Sequence, residues 1–247
     1  MTNKDIIRIQ LLARGKARKE TGQYLIEGKR LVQSAIEMRA DLETVFNTEP
    51  FQKDNPGFME SIQNTGISCE QIQSKIMEKL SFTKTPSGIA AVCSLPKKDD
   101  PDLSQNQWLY LDQISDPGNL GTLFRSAAWF NFSNVALSPD CVDPFNPKAV
   151  RAGMGAHFGL SIHTNINLNL FAESHTLIGA DHRGDSLGNI ENSEKFMLVL
   201  GSEAHGLSES ILEKLDFTVA IEKRGFGESL NVGVAGAILM YELSKNI

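Results

Sequence analysis

Apolar and polar positions in the first third of the chain alternate between helical and strand periods. Ile6, Ile9 and Leu12 recur at helical spacing, so residues 4–19 are predicted to form an amphipathic helix. The predicted strands that follow are 22–27, 42–47, 66–69 and 88–94, and the predicted helices between them are 29–39, 56–64 and 71–80. This alternation is typical of a small α/β domain.

A linker interrupts the pattern at residues 96–104, where Pro96 and Pro101 bracket a run of charged side chains. A second α/β unit follows it. Its predicted strands are 108–111, 133–137, 159–163, 176–180, 196–200 and 217–221, and its predicted helices are 119–130, 146–152, 208–214 and 229–244. We therefore predict two α/β domains, residues 1–95 and residues 105–247.

The composition, 41% hydrophobic and 22% charged residues, is that of an ordinary globular protein. The chain has no apolar run of about 18 residues and its first residues lack the apolar core of a secretory signal, so we expect a cytoplasmic protein. Cys69, Cys93 and Cys141 are odd in number and far apart, and the five histidines lack ligand spacing. We therefore expect neither a disulfide framework nor a metal site.

Charge is distributed unevenly along the chain. The net charge of -6 argues mildly against nucleic-acid binding, but residues 1–40 contain nine basic and only four acidic side chains. The densest basic group is Arg14, Lys16, Arg18 and Lys19. This group is either a solvated helix face or an arm that contacts RNA phosphates.

The first segment that indicates chemistry is 112–127. A strand ends there, a Pro-Gly turn follows, and Asn119 is a candidate cap for the next helix. Arg125 lies outside the apolar stripe of that helix, on a polar face with Thr122 and Ser126. It is either an ordinary exposed arginine or part of a site, since ligand sites in open α/β sheets lie where strands end.

The second segment is 198–208, in which an apolar strand leads into a loop bounded by Gly201 and Gly206. These glycines allow tight backbone turns. Glu203 would either orient a substrate group or close the turn by hydrogen bonding, and His205 is expected to be structural. Ser208 is a candidate cap for the helix that follows.

The third segment is 227–244. The polar side chains Glu228, Ser229 and Asn231 precede an apolar helix that contains Gly233 and Gly236. Because a glycine inside a helix costs about 1 kcal/mol relative to alanine, we expect a ligand or another helix to approach the backbone here. A capped and tightly packed core helix is the simpler alternative.

The chain lacks the other common nucleotide-binding and nucleophile motifs. Residues 151–158 contain a Gly-x-Gly pattern, but it precedes a predicted strand and lacks the third glycine of a dinucleotide-binding loop. The chain contains neither a P-loop nor a Gly-x-Ser-x-Gly nucleophile elbow.

Taken together, the segments DPGNLGTLFRSA, LVLGSEAHGLS and ESLNVGVAGAILMYE resemble the three motifs of the SpoU (TrmH) family of SPOUT-class RNA 2'-O-ribose methyltransferases. They occur in family order over residues 107–246. The segments KARKETGQYLIEGKRLVQSAIE and FTKTPSGIAAV are similar to the L30e-like RNA-binding domain that many members carry. Departures are Glu222, where members often have proline, and Gly233, where many have serine.

The resemblance implies an α/β fold with a C-terminal trefoil knot, preceded by the small L30e-like domain, and a homodimer formed through the knot region. It implies S-adenosylmethionine as the cofactor and no metal. The residues implied to bind this cofactor, mainly through their backbone, are Leu200, Gly201, Gly206, Ile221 and Leu230.

The same resemblance implies the catalytic residues. Arg125 would activate the ribose hydroxyl as a base, or it would bind the adjacent phosphate and stabilise negative charge. Asn119, Glu203, Ser229 and Asn231 would order the loops and the ribose. We expect large-subunit ribosomal RNA as the substrate rather than tRNA. A non-catalytic RNA-binding or ribosome-assembly protein on this fold, and an ordinary doubly wound nucleotide-dependent enzyme, are the alternatives.

Overall fold

A computed structural model describes residues 1–186, 194–202 and 206–245. The chain divides into two compact units. Unit 1 comprises Met1–Lys97 together with Phe145–Phe158, and unit 2 comprises Lys98–Pro144 together with Gly159–Ile247.

The helices, in chain order, are α1 (Asn3–Leu11), α2 (Gly15–Thr21), α3 (Lys29–Glu37), α4 (Glu49–Asp54), α5 (Pro56–Gln63), α6 (Ser74–Leu80), α7 (Pro117–Trp129), α8 (Pro147–Gly153), α9 (Glu209–Leu212) and α10 (Val232–Ser244). The strands are β1 (Gln23–Glu27), β2 (Leu42–Thr48), β3 (Ser68–Ile72), β4 (Ile89–Ser94), β5 (Gln107–Leu111), β6 (Asn134–Leu137), β7 (Ser161–Thr164), β8 (Thr176–Ser186), β9 (Phe196–Leu200) and β10 (Phe217–Ala220). Two short 3-10 helices span Ala156–Phe158 and Leu168–Leu170.

Unit 1 contains a four-stranded sheet in the order β1-β4-β2-β3, in which β4 is antiparallel to β1 and β2, and β3 is parallel to β2. Tyr24 and Ile26 of β1 join a core with α3, α5 and α8, whereas Leu25 joins a second core with α1 and α6. Alternate side chains of one strand thus face two helical layers, so both sides of the sheet are covered.

The segment Phe145–Phe158 groups with unit 1, although the predicted boundaries assigned it to the second domain. The reason is apolar packing: Val150 of α8 lies in the unit 1 core, and the ring centroid of Phe145 is 4.9 Å from that of Tyr24. Gly155 has φ +99°, and a Cβ there would lie 2.9 Å from the Cβ of Ser34. The chain therefore leaves unit 2 after Pro144 and returns at Gly159.

Unit 2 contains a six-stranded sheet in the order β10-β8-β9-β5-β6-β7, and all the described pairings are parallel. Every residue of β9 is buried, as expected for a strand covered on both faces. This sheet has the α/β architecture that the sequence predicts. The chain between Ser202 and Gly206 lies outside the described residues, so the trefoil knot stays a prediction.

Several elements differ from the sequence prediction. The helix predicted over 4–19 is divided, because Arg14 is in an extended conformation before Gly15 starts α2. Helix α4 was not predicted; the Thr48 hydroxyl accepts a hydrogen bond from the backbone N–H of Phe51 at its start. Strand β8 continues to Ser186. Within the described ranges, no helix is long and apolar enough to cross a membrane.

Candidate active site

The three segments predicted to carry chemistry follow strands of the same parallel sheet. β5 leads into α7, β9 leads into loop 201–208, and β10 leads into loop 221–231. β5 and β9 are neighbours, and β8 lies between β9 and β10. Because parallel strands place their carboxyl ends at one edge, all three segments begin at the edge where open α/β sheets bind ligands.

Asp116, and not Asn119, caps helix α7. The Asp116 Oδ1 accepts hydrogen bonds from the backbone N–H groups of Gly118 (2.7 Å) and Asn119 (2.9 Å). Pro117 occupies the first turn, where its missing N–H costs nothing. The predicted cap at Asn119 is therefore wrong, and its side chain does not serve as the helix cap.

The Asn119 side chain instead connects the first and third segments. Its Oδ1 accepts a hydrogen bond of 3.0 Å from the Nδ2 of Asn231. The Asn231 Oδ1 accepts from the backbone N–H of Gly233 at 2.9 Å and so caps α10. One amide side chain thus fixes the start of α10 and ties it to α7.

The glycines of α10 permit close contact with α7 and with the end of β9. A Cβ at Gly233 would lie 2.9 Å from the Cγ2 of Thr122. A Cβ at Gly236 would lie 2.5 Å from the Cδ2 of Leu123 and 2.8 Å from the Cδ1 of Leu200. The expectation that another element approaches this backbone closely is confirmed, and that element is helix α7.

Arg125 lies on the exposed face of α7. The hydroxyl groups of Thr122 and Ser126 on the same face donate to backbone carbonyls of Gly118 (2.9 Å) and Thr122 (3.1 Å). Within the described part of the chain, the Arg125 guanidinium forms no hydrogen bond or ion pair. Its five N–H donors are therefore available to a ligand, and a phosphate or a developing oxyanion fits them.

The second loop is closed by its own backbone. The N–H of Ser202 donates to the carbonyl of Gly206 at 3.0 Å, and the N–H of Gly206 donates to the carbonyl of Ser202 at 2.9 Å. A Cβ at Gly201 would lie 2.2 Å from the backbone C and O of Gly206, which itself has φ +68°. The tight turns predicted for these glycines are confirmed. Glu203 and His205 lie outside the described residues.

Asp112 is a residue of this edge that sequence reasoning missed. It is 4% exposed, directly follows β5, and its Oδ2 accepts a hydrogen bond of 3.3 Å from the hydroxyl of Ser208. Ser208 occupies the N-cap position of α9, as predicted, but its side chain makes no cap hydrogen bond. The position of a charged residue directly after an apolar strand could have indicated Asp112 as a residue of the site.

The third loop is open to solvent. Residues 222–230 are all exposed, and Ile221, directly after β10, is half-buried. Leu230 and Ser229 are exposed beside the Asn231 cap. Apart from its own residue and chain neighbours, no heavy atom of the described chain lies within 4 Å of a Cβ built on Gly206, Gly225 or Gly227. At these glycines the loops offer backbone groups that no side chain covers, which fits the nucleoside part of S-adenosylmethionine.

The predicted RNA-binding group is only partly at the surface. Arg14, Lys16 and Lys19 are exposed. Arg18 is 2% exposed, and its Nη1 donates to the carbonyl of Leu12 at 2.6 Å. Arg18 is therefore buried where α1 ends and cannot contact RNA, which corrects its assignment to the patch.

Both units match families of known proteins. Residues 106–241 match the SpoU rRNA Methylase family, and residues 3–91 match the MRM3-like substrate binding domain. The 23S rRNA (guanosine(2553)-2'-O)-methyltransferase RlmP of Bacillus subtilis is 33% identical, covering 92% of this chain and 91% of that protein.

Solved structures share the architecture. A TrmH-family protein from Porphyromonas gingivalis aligns with a TM-score of 0.88 at 27% identity and covers 100% of this chain and 99% of that chain. The SpoU methyltransferase AviRb from Streptomyces viridochromogenes, in complex with AdoMet, aligns with a TM-score of 0.86 at 23% identity. It covers 99% of this chain and 98% of that chain.

The parallel sheet of unit 2, together with the match over residues 106–241, identifies a SpoU-type methyltransferase domain. The chain belongs to the SpoU rRNA methylase family. The predicted family, mixed α/β fold and enzyme class are confirmed, and the protein is an RNA 2'-O-methyltransferase.

Proposed function

We propose that this enzyme methylates a ribose 2'-hydroxyl in large-subunit ribosomal RNA. The observation that carries the proposal is the Asn231–Asn119 hydrogen bond, which ties the third loop to the helix that bears Arg125. The substrate class is supported by similarity over nearly the whole chain to a methyltransferase named for 23S rRNA. We propose the cytoplasm as the place of the reaction.

Arg125 is the residue to which we assign the main catalytic role. When bound, S-adenosylmethionine supplies an electrophilic methyl group to the ribose oxygen. The Arg125 guanidinium is free of described partners, so it can contact this oxygen or the neighbouring phosphate. Because a guanidinium rarely loses its proton, we assign it stabilisation of the charge that develops on the oxygen; the hydroxyl proton passes to water, and S-adenosylhomocysteine is the leaving group.

The remaining polar residues of the site orient the ribose and the loops. We assign this role to Asn119, Ser229 and Asn231, and also to Glu203, whose assignment rests on the motif alone. Holding the hydroxyl in line with the methyl group is a large part of catalysis for such a transfer.

The cofactor is held, in this proposal, by backbone groups of the second and third loops. Leu200 ends β9 and Gly201 follows it, Ile221 follows β10, and Leu230 precedes the α10 cap. The close contact between Gly201 and the backbone of Gly206 fixes the shape of the second loop. A nucleoside is well suited to such a pocket, because its edges can pair with backbone donors and acceptors.

Unit 1 is the part that we propose to bind RNA, as an L30e-like domain. It contains 16 basic and 11 acidic side chains, whereas unit 2 contains 8 basic and 19 acidic ones. Phosphate contacts gain affinity from the release of counterions, so an acidic catalytic unit benefits from a basic partner domain. Arg14, Lys16 and Lys19 are the exposed cations of the proposed patch.

A homodimer is the assembly that we propose. Val234, Ile238 and Tyr241 recur along one face of α10 and are exposed, and Trp129 at the end of α7 is 82% exposed. An apolar face on the helix pair next to the site is the kind of surface that a second copy covers. Sedimentation of Ile238→Asp should then show a monomer, while Leu170→Asp, an exposed position outside this face, should leave the dimer intact.

Labelled methyl transfer tests the proposed function. The enzyme is incubated with labelled S-adenosylmethionine and total RNA from cells that lack the gene, and the RNA is separated into large ribosomal, small ribosomal and transfer fractions. We expect label in the large ribosomal fraction, on a ribose 2'-oxygen. Label confined to transfer RNA would refute the proposed substrate.

A further inference from the structure

Phe226 is the most exposed of the large hydrophobic side chains in the described parts of the chain, at 102%. It is flanked by Gly225 and Gly227, and no described heavy atom beyond the glycine and its chain neighbours lies within 4 Å of a Cβ built on either glycine. Gly227 has φ +121°, a conformation that residues with side chains rarely adopt. The aromatic ring therefore stands clear of the folded chain on a backbone that only glycine accommodates easily.

The position of Phe226 places it beside the proposed reaction. It lies in loop 221–231, between Ile221, assigned to the cofactor, and Ser229 and Asn231, assigned to the ribose. Since an extended chain advances about 3.4 Å per residue, the Cα of Phe226 is within about 17 Å of that of Asn231. The ring therefore lies on the same short loop as the residues assigned to the ribose.

Two adjacent cations of the same loop are available for the phosphates of a nucleic-acid strand. Lys223 and Arg224 are the only adjacent pair of basic residues in unit 2, which has 8 basic against 19 acidic side chains. Both side chains are exposed, and Arg224 is held at 3.0 Å from the Glu222 carboxylate. Proteins that bind single-stranded RNA combine such cations for the phosphates with an aromatic ring for the bases.

We propose that Phe226 stacks on an unpaired nucleobase adjacent to the target ribose, with Lys223 and Arg224 contacting phosphates of the same strand. The enzyme can reach a 2'-hydroxyl only where the neighbouring nucleotides do not cover it. A base displaced for this purpose loses its stacking on the next base, and an aromatic side chain can replace that stacking. The inference rests on the proposed function, because it requires an RNA strand at Asn231.

Substitutions at Phe226 test the inference in the full-length enzyme. The RNA KM, kcat, S-adenosylmethionine Kd and sedimentation coefficient are measured for Phe226→Ala, Phe226→Leu and Phe226→Trp. The control is Phe217→Ala, an exposed phenylalanine at the opposite end of β10. We expect the RNA KM to rise about 10-fold for the alanine and leucine variants, which is within the range measured for the loss of base stacking. We expect the tryptophan variant to have the RNA KM of the wild-type enzyme.

Each other outcome overturns the inference. A wild-type RNA KM for Phe226→Leu would mean that the side chain makes an apolar contact and does not stack on a base. A change of S-adenosylmethionine Kd equal to the change of RNA KM would place the cofactor against the ring, and a loss of dimer would place a second copy there. If the wild-type enzyme methylates no RNA at all, the proposed function is refuted. Failure of the inference about Phe226 can therefore be distinguished from failure of the proposed function.

Discussion

The closure of the second loop gives the sharpest test of how the site is built. In Gly201→Ala, the new Cβ would lie 2.2 Å from the backbone carbonyl of Gly206, whereas carbon atoms pack at about 3.5–4.0 Å. A backbone atom cannot rotate away as a side chain can, so the loop must open. The expected cost is about 1–3 kcal/mol, the usual range for overpacking.

Opening the loop also breaks the two backbone hydrogen bonds between Ser202 and Gly206. Each contributes about 0.5–1.5 kcal/mol when made in a folded protein. The damage is confined to a loop that we assign to the cofactor, so we expect the S-adenosylmethionine Kd to rise at least about 10-fold, which corresponds to 1.4 kcal/mol. Calorimetric titration measures this Kd, and thermal unfolding reports the stability.

Gly206→Ala is the matched control. A Cβ at Gly206 meets open space, so only its φ of +68° opposes the substitution. The left-handed conformation costs about 1–2 kcal/mol for an alanine, with no clash. We expect a smaller loss of affinity than for Gly201→Ala. If Gly201→Ala binds the cofactor and unfolds like the wild type, the argument from close backbone approach is refuted.

Three further predictions follow from the same geometry. Arg125→Ala should lower kcat by at least about 100-fold while S-adenosylmethionine Kd stays unchanged, as expected for a lost oxyanion contact; retained turnover would contradict the catalytic assignment. Asn119→Ala and Asn231→Ala should be non-additive in a double-mutant cycle on methyl-transfer rate, because each breaks the same hydrogen bond, and additive losses would argue against coupling. Replacing Lys16 and Lys19 by glutamine should reduce the slope of log affinity for RNA against log salt by about 0.7–0.9 per lost phosphate contact, and an unchanged slope would leave the patch as a solvated face.

The sequence predicted the site loops better than the side-chain roles within them. Apolar strands and glycines located all three loops, because buried parallel strands and tight turns constrain residue type strongly. The cap of α7 was assigned to Asn119 because asparagine is a good cap, yet Asp116 is an equally good one. Pro117, a residue favoured at the first helical position, was the signal that decides between them.

Tertiary packing explains two further differences. Arg18 reads as a surface cation when 4–19 is taken as one helix, but the break before Gly15 turns its guanidinium towards the Leu12 carbonyl. The segment 145–158 has a helix where the pattern predicts one, but nothing in a local pattern says which sheet its apolar side chains will cover. The burial of Arg18 and the packing of segment 145–158 both depend on tertiary contacts, which the local pattern of apolar residues does not predict.

The excursion of Phe145–Phe158 has a consequence for how this enzyme can be taken apart or recombined. Because the polypeptide crosses between the two units three times, no single cut separates them. A fragment ending at Lys97 would lack Val150 from its core and would expose the Tyr24 ring that Phe145 covers. Replacement of unit 1 in this chain would have to exchange two separate stretches of sequence together, Met1–Lys97 and Phe145–Phe158.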